Sequence, residues 1–212
     1  MSPRPGDRRA VRREATRAEI VSAAWVLVRE KGLAGLSLRE LGARVGMRAQ
    51  SLYSYFDSKD AIYDAMFRQG VEEQLAWMAA GPNADDDAAD PIGSITAHLQ
   101  RFFRFCTADP VRYQLLFQRT IPGFEPSAES YALAVEVLEQ LHHRLRALGI
   151  SDPAASDLFT AVATGLVSQQ ISNDPGGDRW ERLIGRAVHM LVTELAPHLL
   201  APEGRRQRRS SR

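Results

Sequence analysis

The 212-residue sequence holds a single cysteine, Cys106. It can form no internal disulfide, which suits a reducing compartment. No apolar run approaches the roughly 20 residues that a membrane helix needs, and no apolar stretch of signal-peptide length follows the arginine-rich start. The expectation is a cytoplasmic chain with no membrane partner. No segment alternates with a period of two, and no internal repeat is found. The phosphate loop, the dinucleotide fingerprint, the nucleophile elbow and the H-E-x-x-H zinc motif are all missing. Asp85, Asp86 and Asp87 lack the alternating spacing of a calcium loop. His142 and His143 are adjacent and so point to different helix faces, while His98, His189 and His198 are isolated. Cys106 has no basic neighbour in sequence to favour a thiolate. No metal site and no cofactor are expected, and the chain does not read as an enzyme.

What is present is helix. Apolar residues make up 44% and charged residues 25%, the balance of a globular chain with a packed core. The informative stretch runs from Ser37 to Lys59, SLRELGARVGMRAQSLYSYFDSK. Ser37 followed by Glu40 fits a capping box, and Leu38, Leu41 and Val45 recur at helical spacing. Gly46 is suited to turning the chain out of the helix. A second helix from near Arg48 would bury Leu52 and Phe56 and leave Gln50, Ser51, Tyr53, Ser54 and Tyr55 outward. A short helix pair with a polar, aromatic outer face is of the kind that enters a major groove.

Charge is distributed to match. The net charge of residues 1–60 is +5, that of 61–202 is −8, and that of the last ten is +4. The excess of arginine and lysine sits with the helix pair, as contact with phosphates requires.

The run L-Y-S-Y-F-D-S-K at 52–59, after G-A-R-V-G-M at 42–47, resembles the DNA-binding signature of TetR-family transcriptional regulators. With the flanking helices, the resemblance covers about a quarter of the chain. By matching positions it implies DNA contacts from Arg39 on the first helix of the pair and from Gln50, Ser51, Tyr53 and Tyr55 on the second. Lys59 matches the family's phosphate anchor. Arg48 and Gln50 depart from the small residues common there, which weakens the cap at 48. Arginine and glutamine also read guanine and adenine edges, so both join the candidate contacts.

The rest of the chain divides into further helical segments. Residues 1–15 read as a disordered basic arm, a phosphate contact or a solvated tail. Thr16 and Glu19 form a second capping box opening a helix to Lys31, and 16–60 make the three-helix DNA-binding domain. A helix over 58–79 follows, and residues 80–91 read as an acidic exposed loop. Helices are expected over 92–106, from Pro110 to Phe117, from Ser127 to Leu148, from Pro153 to about Asn173 and from Asp178 to about Leu195. Residues 61–202 form the C-terminal domain, and 203–212 a disordered basic tail.

The resemblance implies an all-α fold, with a C-terminal domain for ligand binding and dimerisation. Phe103, Tyr113, Phe117, Phe159 and Val162 are candidates for an apolar cavity wall, with His98 or Gln169 as polar anchors. The last two long helices carry apolar stripes covering more than half their circumference, which calls for two neighbours each. Leu166, Trp180, Leu183, Ala187 and Leu191 are the candidate dimer seam. The expected partners are double-stranded DNA with a palindromic operator, a small apolar or aromatic effector, and a second copy of the chain. The expected function is that of a repressor released by ligand. The alternatives are a ligand-independent architectural DNA-binding protein and a small all-α enzyme with a polar constellation inside the bundle.

Overall fold

The computed structural model describes residues 5–200, with side chains from residue 8. Among the described residues every regular element is a helix. The order is α1 (Pro5–Lys31), α2 (Leu38–Arg44), α3 (Ala49–Leu52), α4 (Lys59–Ala79), α5 (Ala84–Ala89), α6 (Pro91–Ala108), α7 (Pro110–Phe117), α8 (Ala128–Ala147), α9 (Ala155–Asn173) and α10 (Ile184–Leu195). Short 3-10 turns precede α2 and flank α10. None of the described helices is long and apolar enough to cross a membrane.

Two compact units are formed. The first contains the chain through Glu72 together with Val111–Leu133, and the second contains Glu73–Pro110 with the chain from Ala134. The first unit thus extends beyond residue 60 and includes a segment from the expected C-terminal domain. The reason is local bonding. Asp64 on α4 accepts from the Ser127 amide at 2.7 Å, the Ser127 hydroxyl at 3.0 Å and the Ser130 hydroxyl at 2.9 Å. Arg68 pairs with Glu129 at 2.5 Å, and the rings of Tyr63 and Phe124 stand 5.6 Å apart. The core of this unit is built from Ile20, Ala24, Leu27 and Val28 of α1 with Leu41, Leu52, Phe56, Ile62 and Met66. Tyr63 donates its hydroxyl to the Leu33 carbonyl at 2.6 Å, which satisfies a buried polar group. Its ionisation is pushed up to about 12 by burial, then by Asp60.

Local chemistry accounts for most helix ends and corrects several expectations. The residues of the expected arm that can be described, 5–15, are the first turns of α1, with proline at the start where a missing N–H costs nothing. Thr16 is no cap: it lies mid-helix and returns its hydroxyl to the Arg12 carbonyl at 3.0 Å. Residues 1–4 and the tail 203–212 lie outside the described residues. Ser37 stands at the start of α2 but makes no side-chain cap, because Glu40 turns to Lys31 at 2.7 Å instead. That lysine holds the Glu40 carboxyl below its usual range. Ser58 caps α4 through the Ala61 amide at 3.0 Å, and Asp90 caps α6 through Gly93 at 3.0 Å ahead of Pro91.

The acidic stretch at 80–91 is not a loop throughout. Asn83 and Asp86 form a reciprocal capping box that starts α5, where carboxylates favour a helix N-terminus. Asp87 on that helix is buried and pairs with Arg144 of α8 at 3.2 Å. In this second unit α6 packs on α9 and α10. Its core holds Ile95, Leu99, Phe103, Cys106, Phe159, Val167, Ile184, Val188 and Val192.

Candidate nucleic-acid interface

The turn between α2 and α3 is held by backbone groups. Met47 donates to the Gly42 carbonyl at 2.8 Å, and Val45 to the Leu41 carbonyl at 3.2 Å. Gly46 has φ 67°, the left-handed conformation that glycine adopts without strain. A Cβ on Gly42 would stand 2.7 Å from the Met47 carbonyl oxygen, so only glycine lets the turn close there.

α3 is one regular turn, and its path continues in hydrogen-bonded turns. The Leu52 carbonyl accepts from both Tyr55 and Phe56 at 2.9 Å. Leu52 and Phe56 are nearly fully buried and fix the inner face. Gln50, Ser51 and Tyr53 are exposed on the other side, Tyr53 by 51%. Arg48 is the N-cap residue in extended conformation and makes no cap bond, so its exposed side chain is left to other partners. Tyr55 is less outward than expected. It is half-buried, its carbonyl accepts from Arg17, and Arg13 lies 5.5 Å from its ring centre.

Six cations near the helix pair fall into two groups. Lys31 is tied to Glu40, Arg44 to Glu30, and Arg17 to Glu14 at 3.8 Å. Arg39, Arg48 and Lys59 have no carboxylate at ion-pair distance among the described residues. Arg39 and Arg48 are exposed; Lys59 is half-buried at the first residue of α4, its ammonium 5.4 Å from the Tyr63 ring centre. Around an amide, a hydroxyl and a phenol, this surface therefore offers three positive charges without a carboxylate at ion-pair distance among the described residues. Such a set can neutralise phosphates and reach base edges.

The candidate ligand residues are divided between the two units. Tyr113 and Phe117 belong to the first unit and pack on each other at 5.5 Å. Phe103 and Phe159 are core residues of the second, and Val162 is half-buried on α9. Gln169 is exposed and bonds Asn173 at 2.7 Å, so it is not a buried anchor. Its neighbour Gln170 is the buried amide, accepting from the Trp180 amide at 2.9 Å. His98 accepts at Nδ1 from Arg144 at 2.7 Å, and its ionisation is lowered to about 4 by burial, then by Arg144. A cleft of about 250 Å³ lies elsewhere in the second unit, at the α8–α9 corner, bordered by His142, Leu145, Ile150, Asp152 and Ser156. Among the described residues no group of three or more His, Cys, Asp or Glu side chains is placed to hold a metal ion.

The candidate dimer residues lie on α9, α10 and the turn between them. Leu191 is already 91% buried within its own unit. Leu166, Trp180 and Ala187 are half-buried and Leu183 is exposed. Met190, outside the candidates named from sequence, is exposed by 66% and shares the Leu183 and Ala187 face at i+7 and i+3. A Cβ on Gly165 of α9 would meet only open space.

Residues 20–66 match the family model described as bacterial regulatory proteins, tetR family. The chain is similar to an HTH-type transcriptional regulator of Mycobacterium tuberculosis, at 24% identity over 169 residues, 79% of this chain and 64% of that protein. It is also similar to an HTH-type transcriptional repressor of the same species, at 26% identity over 164 residues, 77% of this chain and 59% of the other. The chain thus spans less than two thirds of the length of these curated relatives. Among solved structures, the multidrug binding protein EbrR complexed with imidazole matches with a TM-score of 0.60 at 25% identity, over 82% of this chain and 93% of that one.

Proposed function

We infer that this chain, a member of the TetR family of transcriptional regulators, acts as a homodimeric repressor that leaves a palindromic operator when a small molecule binds. The observation that carries the reading is the exposed Gln50–Ser51–Tyr53 surface flanked by the positive charges of Arg39, Arg48 and Lys59, none with a carboxylate at ion-pair distance among the described residues. Gln50, Ser51, Tyr53 and the partly covered Tyr55 approach bases, with Arg48 at the entry. Lys59 and Arg39 hold phosphates. Two copies related by a two-fold axis would place two such surfaces in successive major grooves, about 34–36 Å apart. The face carrying exposed Leu183 and Met190 and half-buried Ala187, with Leu166, supports a seam between copies.

The repressor role is supported by the name of the second mycobacterial relative, and the ligand by the imidazole complex of EbrR. Phe103 and Phe159, with half-buried Val162, make the interior of the second unit apolar, so an apolar or aromatic effector fits best. The architectural reading keeps one observation in its favour: His98 is already engaged and Gln169 faces outward.

Selection of duplexes from a random pool by the full-length chain tests the operator. Two inverted half-sites are expected, with Gln50→Ala relaxing base preference and Lys59→Ala weakening all sequences alike. A selected site without two-fold symmetry refutes the palindromic operator. Retention of DNA across a panel of aromatic compounds, with none releasing it, favours the architectural reading.

A further inference from the structure

We propose that the N-terminal turns of α1 form a second, rigid DNA-contacting edge, in which Arg8, Arg9 and Arg12 bind phosphates flanking the groove that α3 enters. The proposal rests on the DNA-binding reading above and adds to it a surface outside the helix pair. α1 is continuous from Pro5 to Lys31, about 40 Å at 1.5 Å per residue, so these arginines are carried on a helix rather than a tether. All three are exposed, and none has a carboxylate at ion-pair distance among the described residues.

Their placement follows from helical geometry. At 3.6 residues per turn, Arg8, Arg9, Arg12 and Arg13 fall within about 140° of one another. Arg9 and Arg13 prolong the stripe that Ile20, Ala24 and Leu27 bury against the helix pair. Arg13 and Arg17 mark where that stripe leaves the protein: Arg13 lies over the Tyr55 ring, and Arg17 donates to the Tyr55 carbonyl and lies 4.2 Å from the Phe56 ring centre. Arg9 is one turn further out, about 6 Å past Arg13 along the axis. The arginines thus begin where the recognition segment ends. A duplex carries a negative charge for every 1.7 Å or so of its axis, so a helix edge leaving the groove here meets phosphates. Contacts made to phosphates in this way position the protein and carry no base preference.

The test uses the full-length chain and a mixed-sequence duplex of about three helical turns, titrated over a salt series. At about 0.9 per phosphate contact, the combined Arg8→Ala, Arg9→Ala and Arg12→Ala variant should flatten the slope of log affinity on log salt by about 2.7. Lysine at the same positions should keep the slope. Alanine is the better helix former, so the variant keeps α1, which circular dichroism verifies. An unchanged slope in the alanine variant, with Lys59→Ala still flattening it, overturns the edge and leaves the DNA-binding reading standing. A wild-type chain without salt-dependent binding overturns that reading and the edge with it.

Discussion

Replacing Asp87 by alanine would remove the buried carboxylate of a cluster that ties three helices of the second unit. Asp87 of α5 accepts from Ser94 of α6 and faces Arg144 of α8 at 3.2 Å, with side-chain exposures of 10% and 14% for the two ions. Arg144 also donates to the Pro82 carbonyl and to His98. With Asp87 gone, an arginine whose side chain is only 14% exposed keeps two neutral acceptors and no counter-charge. Losing one partner of a buried pair typically costs 3–5 kcal/mol; the two remaining bonds argue for the lower end, about 3 kcal/mol. With a urea dependence of about 2 kcal/mol per molar, the unfolding midpoint of this unit should fall by about 1.5 M. Urea titration followed by circular dichroism reads it. The orphaned charge is the cause, so Asp87→Ala combined with Arg144→Met should recover at least about half of the loss. A midpoint unmoved by Asp87→Ala, or a double variant as unstable as both singles added, refutes the reasoning.

The same cluster makes stability depend on pH. His98 is held neutral, with its ionisation lowered from about 6.5 to about 4, so between those values the unfolded chain binds the extra proton. This contribution is fully present above pH 6.5 and is lost as pH falls toward 4. It amounts to at most about 3 kcal/mol, and His98→Asn should remove that slope in urea midpoints taken over a pH series. In the first unit, Asp64→Ala strips three donors of their acceptor at the start of α8. It should cost about 1–2 kcal/mol and speed amide exchange at 127–131 first; uniform exchange there would refute the clamp. At the exposed α10 face, Met190→Glu should give folded monomer in sedimentation, whereas Leu191→Glu should unfold the unit because Leu191 is buried within it. A dimer that survives Met190→Glu places the seam elsewhere.

The legible parts of the sequence were those governed by neighbours. The helix starts expected at 58, at Pro110 and at Ser127 fall within a residue of those of α4, α7 and α8. The spacing of Leu52 and Phe56 marked the buried side of the recognition segment. What was not legible depended on distant partners. The stretch at 80–91 reads as loop because its composition is small and acidic; the residue that makes one of its aspartates a core group, Arg144, lies 57 positions away. Thr16 and Glu19 have the letters of a helix start, but the arginine- and alanine-rich chain before them is itself helical, and mid-helix threonine uses its hydroxyl differently. The aromatic residues at 103–117 are close in sequence, yet the division of the chain sends Phe103 to one unit and Tyr113 and Phe117 to the other. Ring content alone carries no information about which side of such a division a residue joins.

The turn from Gly42 to Met47 has a consequence for how such a protein changes its target. Its shape is set by main-chain bonds and by one glycine that cannot accept a side chain. The register of α3 is then fixed from within by Leu52 and Phe56. Arg48, Gln50, Ser51 and Tyr53 take no part in either constraint. Their identities can drift without a folding penalty, so a new binding preference can arise by substitution at a few surface positions while the scaffold that presents them stays the same.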